Sequence, residues 1–488
     1  MAMGRRGAVQ DELWIASSAL ARPGGHRFYE KLNELLAEAH FDKFVEDLCL
    51  PFFVGGEERG RPSIAPGMYF RMLFVGYFEG IESERGLEWR CADSLSLRTF
   101  LGLPLSERVP DHSSLSRMRT RLGSSVYDAV FQHVLGIVKA KGLLSGKVVG
   151  VDSTYLRADA SMKSIVRKDT GDDYATYLTK ICVEAGIANP TVEDAIRVDR
   201  SREGKKTSNQ DWASPIDADS RIVRLKDGRT RLGYKAEHVV DLETGAVVAA
   251  KVYLGDDADT TTLVTSLEGA RENLISAEER TPQASSSDSD DEPPMAPPTA
   301  PPAVSGATTR DVIEVVADKG YHKVELLLEL RKAEYRTYIS VPAQKGARHF
   351  GDKGGMRGRE AFHDNKKRVK RKKGKALLRL RGERVERSFA FACETGDQRR
   401  VRLRGLANVK KRYLAHIAAL NLGLVMRAIV GHGTPRQAAA AVRVAAVWVI
   451  CMLQLAYWNL VTQIQLAIGM VLPRHGARGN TRLSAAQI

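Results

Sequence analysis

Two short runs of β-branched residues each carry an aspartate where an acid is out of character. Asp152 sits inside the apolar stretch VVGVDSTYL, and Asp318 ends the matching stretch VIEVVAD. Runs of this kind read as buried strands. A carboxylate in such a setting is very costly unless a cation or a metal compensates it. One aspartate at a strand end is most often a turn cap or half of a salt bridge. Two of them, with a third acid on a helix beyond a basic run, call for a common cause.

The surrounding pattern predicts an α/β protein. GYKAEHVVDL and AVVAAKVYL read as further strands joined by turn chemistry at ETG, and TTLVTSLEGARENLISAEE as a helix. Beyond Asp318 follow an amphipathic helix, VELLLELRKAEY, and another strand, TYISVP. Alternation of this type builds a mixed sheet flanked by helices. Residues 1–145 are expected to form an all-helical N-terminal domain, with apolar residues three and four apart in FYEKLNELLAEAHFDKFVEDL and MYFRMLFVGYFEGI. Near its end, Asp111 and Ser113 are candidate caps for a helix presenting Arg117, Arg119 and Arg121. That helix would suit a DNA groove or be a solvated face. The expected divisions are 1–145, 146–430 and 431–488, with a flexible Ser-, Asp- and Pro-rich insertion at about 276–310.

At 488 residues the chain has room for roughly two to four packed units. Its net charge of +15 points to a polyanionic partner, nucleic acid first, although an anionic membrane or a ribosome would also suit. The five cysteines are scattered and form no CxxC pair, which argues against a disulfide framework or zinc ribbon. No continuous apolar core of signal-peptide length opens the chain, and a cytoplasmic location is expected. From Lys366 to Arg387 about a dozen Lys and Arg crowd together, with Glu383 and Glu386 the only acids. A bare run of this kind is usually a solvated or disordered loop; its place just before a carboxylate favours contact with a DNA backbone.

Taken together, these segments resemble the DDE transposases of bacterial insertion sequences, whose catalytic domain is similar to ribonuclease H. The resemblance covers roughly residues 60 to 430: PSIAPGMYFRMLFVGYFEGIESERGLEWRCADSLSLRTFLGL and VPDHSSLSRMRTRL in the helical N-terminal region, then VVGVDSTYL, VVADKGYHK and ERVERSFAFACETGDQRRVRLRGLANVKKRYLAHIAALNLGLVMR. It implies a ribonuclease H-like mixed sheet in which Asp152, Asp318 and Glu386 are catalytic and hold two Mg2+ ions, with Mn2+ able to substitute. Such ions, about 4 Å apart, activate the attacking oxygen and stabilise the leaving one in phosphodiester chemistry. The implied partner is DNA, both the terminal inverted repeats of the element and the target, with a homodimer in the DNA complex and nucleoid association when bound. A DNA-binding relative without activity, or a nuclease that cuts without joining, would carry the same sequence signals.

The third motif departs from the broader pattern, since the positions four before and seven after Glu386 are Gly382 and Cys393 rather than basic residues. Taking Glu383 instead would put Arg379 and Ala390 there; Glu386 is preferred because VERSF matches better. Phosphate contacts would then fall to Arg381, Arg384, Arg387 or the RRVRLR run with Arg399 and Arg400. Lys319, Tyr321 and His322 follow Asp318 and are candidates for contact with DNA. Asp256, Asp257 and Asp259 are read as loop and helix-cap residues, and Trp212 as a core residue or a platform for an unpaired base. From Val444 to Val471 no charge appears, yet Gln454, Asn459, Gln463 and Gln465 interrupt the run, so a buried or subunit-pairing helix is expected and no membrane span is favoured.

Overall fold

The β-branched runs form strands at the expected places. The structure, a computed structural model, describes residues 27–53, 63–187, 189–201, 207–225, 228–279, 313–343 and 355–471. Most of the insertion predicted at 276–310 and the basic C-terminal tail lie outside the described residues. Residues 276–279 do not belong to that insertion, because they complete the helix Asp259–Glu279.

Eight strands are present among the described residues: β1 Val148–Arg157, β2 Val166–Arg167, β3 Trp212–Ala213, β4 Arg221–Arg224, β5 Thr230–Asp241, β6 Val247–Leu254, β7 Glu314–Ala317 and β8 Arg336–Ile339. β2 and β3 form a small separate ribbon. In the main sheet β5 pairs with β1 on one side and with β6 and β4 on the other, all antiparallel, while β7 and β8 continue beyond β1 in parallel. Parallel neighbours need a crossover, and the helix Val324–Lys332 supplies it between β7 and β8. The result is the mixed sheet flanked by helices that the sequence implies.

Two of the outer strands, β6 and β8, are each met by an asparagine from a helix. Asn421 accepts from Val247 N–H (2.9 Å) and donates to Val247 C=O (2.8 Å), engaging both groups at the start of β6. Asn365 does the same for Ile339 on β8, at 2.9 and 2.8 Å. Both asparagines are fully buried. Each therefore supplies the backbone pairing that a further strand would otherwise give.

The N-terminal helices do not form a core of their own. Helix Leu406–Val430 is buried on nearly all sides from Val409 to Met426, and it packs against Pro66–Glu79, Ser124–Ala140 and β6 together. One hydrophobic core thus runs from Phe28 to Met426, and by contacts the chain divides into the units Met1–Pro435 and Arg436–Ile488. In the second unit a single helix begins at Pro435 and runs to Val471. Its stretch Val447–Ile464 is long and apolar enough to cross a membrane by length and composition alone, a test the largely buried helix from Leu406 also passes. Trp448, Leu455 and Trp458 on it are exposed, so of the buried or subunit-pairing helix expected here the first alternative does not hold within this chain.

Replacing Asn421 by Ala strands a buried N–H and a buried C=O on β6. We expect a loss of about 2–4 kcal/mol in denaturant unfolding, with the slope of the transition unchanged; a loss below about 0.5 kcal/mol would mean that the edge is satisfied in another way.

Candidate active site

The site is built by one register. β1 and β7 pair as Val148 with Glu314, Val149 with Val315, Gly150 with Val316 and Val151 with Ala317. One step further on each strand comes a predicted aspartate, Asp152 on β1 and Asp318 just past β7, the latter still extended at φ −77°, ψ 173°. Strand side chains alternate between faces. Gly150 and Glu314 lie on the face covered by helix Lys372–Ala390: a Cβ on Gly150 would meet Arg381 Cγ and Val385 Cγ2 at 3.0 Å, and Lys373 Nζ lies 2.7 Å from Glu314. Asp152 and Asp318 share the parity of those residues, so both face this helix as neighbours.

The helix itself corrects one expectation. The basic run from Lys366 to Arg387 is not a loop; it lies in two helices, Gly355–Lys370 and Lys372–Ala390. On the second helix, Arg381 reaches Asp152 Oδ2 at 3.1 Å and also donates to the Val151 carbonyl at 3.3 Å. Its guanidinium, only 12% exposed, is the cation that compensates the buried end of β1.

Helical geometry separates the two candidate glutamates. Successive residues advance by about 100°, and Arg381, Val385 and Ser388 mark the line facing the sheet. Arg384 leaves one flank of that line toward the β5–β6 turn, where it lies beside Gly245, at the end of β1 remote from Asp152. Glu386 lies on the other side of that line, turned mostly outward, and is exposed. Glu383 points outward and pairs with Arg387 at 3.0 Å. Among the described residues no three His, Cys, Asp or Glu side chains stand close enough to hold an ion together. The fold brings Asp152 and Asp318 together and leaves Glu386 on the adjacent flank.

The helix is fastened to the sheet beside this pair. His238, the cross-strand partner of Asp152, is fully buried and stacks on Phe389 at 4.1 Å. Ser388 donates its hydroxyl to the Val385 carbonyl (2.7 Å), so it accepts from His238 Nδ1 at 2.9 Å, leaving Nε2 to accept from Tyr413 Oη at 2.7 Å. Burial pushes the His238 pKa down to about 3, which makes it a neutral anchor rather than a base.

The other predicted contacts sort by position. Arg399 and Arg400 lie at the C-terminal end of β1, five residues beyond Asp152: Arg157 N–H donates to the Arg399 carbonyl at 3.1 Å, and Arg400 pairs with Asp159 at 2.9 Å. Lys319 is exposed. Tyr321 is not available to DNA, since it is buried with its hydroxyl on Glu237 at 2.8 Å, and His322 turns edge-on to Phe362. Arg117 and Arg121 are exposed, whereas Arg119 turns inward to Glu84 and Ser116. Asp111 caps this helix as expected, accepting from Ser114 N–H at 2.7 Å. Trp212 is a core residue, packed edge-on against Tyr174 and Tyr177 with the Arg167 guanidinium over its ring. Asp259 does more than cap a helix: it receives Ser153 Oγ at 3.0 Å and Lys235 Nζ at 2.8 Å. Lys235 and Glu237 escaped notice, although two charges spaced by two in an otherwise apolar strand are the same signal that exposes Asp152.

Comparison with known families gives two matches. Residues 19–121 match a transposase domain (DUF772), and residues 299–422 match a transposase DDE domain. The second contains Asp318 and Glu386 and begins beyond β1, so the place of Asp152 rests on the register with β7. No curated protein and no solved structure matches the chain.

Carboxylate oxygens are the donors that hard divalent ions take, and the Arg381 contact marks a place where positive charge is held beside Asp152. Replacing Arg381 by Gln should lower stability in chelator by about 1–2 kcal/mol, a partly solvated pair being worth less than a buried one. Added magnesium should narrow the gap to wild type. A gap that magnesium leaves unchanged would mean that Arg381 does not stand where a cation belongs.

Proposed function

We propose that this chain, which belongs to the DDE-type insertion-sequence transposases, cuts DNA at the ends of its element and transfers the strands into target DNA, using Asp152, Asp318 and Glu386. The observation carrying this reading is the register that sets Asp152 beside Asp318 beneath a basic helix bearing Glu386. The three carboxylates would hold the divalent ions, Mg2+ with Mn2+ as substitute. When bound, these supply activation of the attacking oxygen and charge stabilisation at the leaving one.

The chain's own residues do the rest. Arg381 leaves Asp152 as DNA enters and turns to the phosphate, and Glu386 moves in from its exposed flank. Catalytic contacts of this kind commonly tighten only in the substrate complex. Lys319, next to Asp318, and Arg399 and Arg400, beyond the C-terminal end of β1, hold the backbone through charge-assisted contacts that release counterions. Arg117 and Arg121 serve the element end, and two ends are joined within a homodimer. The N-terminal helices up to residue 145 thus act as the DNA-recognition part and residues 146–430 as the catalytic part, working in the cytoplasm on the nucleoid.

A relative that grips DNA without cutting is favoured by one observation, the separation of Glu386 from the aspartate pair. An assay on end-containing DNA with magnesium distinguishes the two. Asp152→Ala, Asp318→Ala and Glu386→Ala should each reduce cleavage roughly 1000-fold or more, because the acids act as a unit, while Glu383→Ala stays within a few-fold of wild type. No cutting by the wild-type protein would establish the binding-only reading, and full activity of Glu386→Ala would move the third acid elsewhere.

A further inference from the structure

Behind the aspartate pair, on the opposite face of the sheet, lies a buried ionic network. Lys235 and Glu237 on β5 are 1% and 0% exposed. The Lys235 ammonium lies 2.8 Å from Asp259 Oδ1 and donates to Thr262 Oγ1 at 2.9 Å; the Thr262 hydroxyl donates on to Glu237 Oε2 at 2.9 Å. The chain of bonds runs from Lys235 through Thr262 to Glu237 Oε2, while Glu237 Oε1 is buried without a hydrogen-bond partner among the described residues. The Glu237 carboxyl is held above its ordinary range by burial, partly offset by its hydroxyl donors and by Lys235.

This network touches β1 one residue from Asp152 and the turn after β7 within three residues of Asp318. Ser153, the residue after Asp152, donates to Asp259 Oδ1 at 3.0 Å. Tyr321, three residues after Asp318, is buried and donates to Glu237 Oε2 at 2.8 Å. Between them, Gly320 passes so near Asp259 that a Cβ there would lie 3.0 Å from Oδ2. The turn Asp318–Tyr321 is therefore seated between Asp259 on one side and Glu237 on the other. Sheet pairing with β1 ends at Ala317, so this seat is what carries the register one residue further to Asp318.

Resting on the functional reading above, we infer that Lys235, Glu237, Asp259 and Tyr321 are positioning residues that hold Asp318 in place against Asp152 for metal binding. They touch neither DNA nor the ions, and they act by fixing the turn that carries the second acid. Supporting groups of this kind typically alter metal affinity or activity by about 10–100-fold when removed.

The test uses the full-length protein and Mn2+ alone, titrated by calorimetry, with cleavage and thermal melting alongside. Tyr321→Phe should weaken Mn2+ binding roughly 10-fold. It should raise the metal concentration needed for half-maximal cleavage by a similar factor and leave KM for end DNA unchanged. Glu237→Gln, which keeps an acceptor for the tyrosine hydroxyl, should bind Mn2+ like wild type, and Glu237→Leu should match Tyr321→Phe. Wild-type affinity in Tyr321→Phe overturns the inference, as does a loss that appears in Glu237→Gln as strongly as in Glu237→Leu. If Asp152→Ala binds Mn2+ as well as wild type does, the functional reading itself has failed; if Asp152→Ala loses binding while Tyr321→Phe keeps it, only the positioning role has.

Discussion

Two like charges are forced side by side by the parallel pairing of β1 with β7, and the rest of the site is organised around that strain. Val151 pairs with Ala317, so Asp152 and Asp318 come one residue beyond the last pair, on the face turned to the helix Lys372–Ala390. Adjacent carboxylates at a half-buried strand end repel, and each favours a cation in reach. Arg381 answers in front, on the helix that crosses the sheet. Lys235 sits behind, within a network that also contains two acids.

The helix that carries Glu386 is placed with matching care. Its C-terminal half is tied to β5 through the Ser388, His238 and Tyr413 chain, one strand away from Asp152. Its N-terminal end is tied to β7 through Lys373 and Glu314. Fixing both ends sets which way each residue leaves the helix, so Arg384 lies beside Gly245 while Glu386 turns outward to solvent. A charge-rich segment can hold such a helix because Gly374, Val385, Ser388 and Phe389 give it one narrow buried stripe, while its lysines and arginines keep to solvent or to the site.

Strand identity and the pair of aspartates were legible in the sequence because both announce themselves locally, as β-branched runs broken by an acid. The helical nature of the Lys366–Arg387 segment was not, since its charge density hides the stripe that packs. The inward turn of Arg119 was equally hidden: exposure on a helix depends on what lies opposite, and Glu84 sits far from it in sequence. Tyr321 looked like a contact for substrate because it follows Asp318, yet period and turn geometry send its ring to the back of the sheet. Lys235, Glu237 and Asp259 were readable in principle as charges among apolar residues, but only the fold shows that they converge. Between β1 and β5, Trp212 was read either as a core residue or as a platform for a base, and the rings around it resolve it as core.

The asparagines that meet β6 and β8 have a consequence for assembly. At Val247 on β6 and Ile339 on β8 the outward-facing backbone groups are already engaged by helices of the same chain, which blunts these edges at those points against strand addition from a neighbouring molecule. At these two places the sheet is closed by the chain's own helices, so its edge is finished from within the fold.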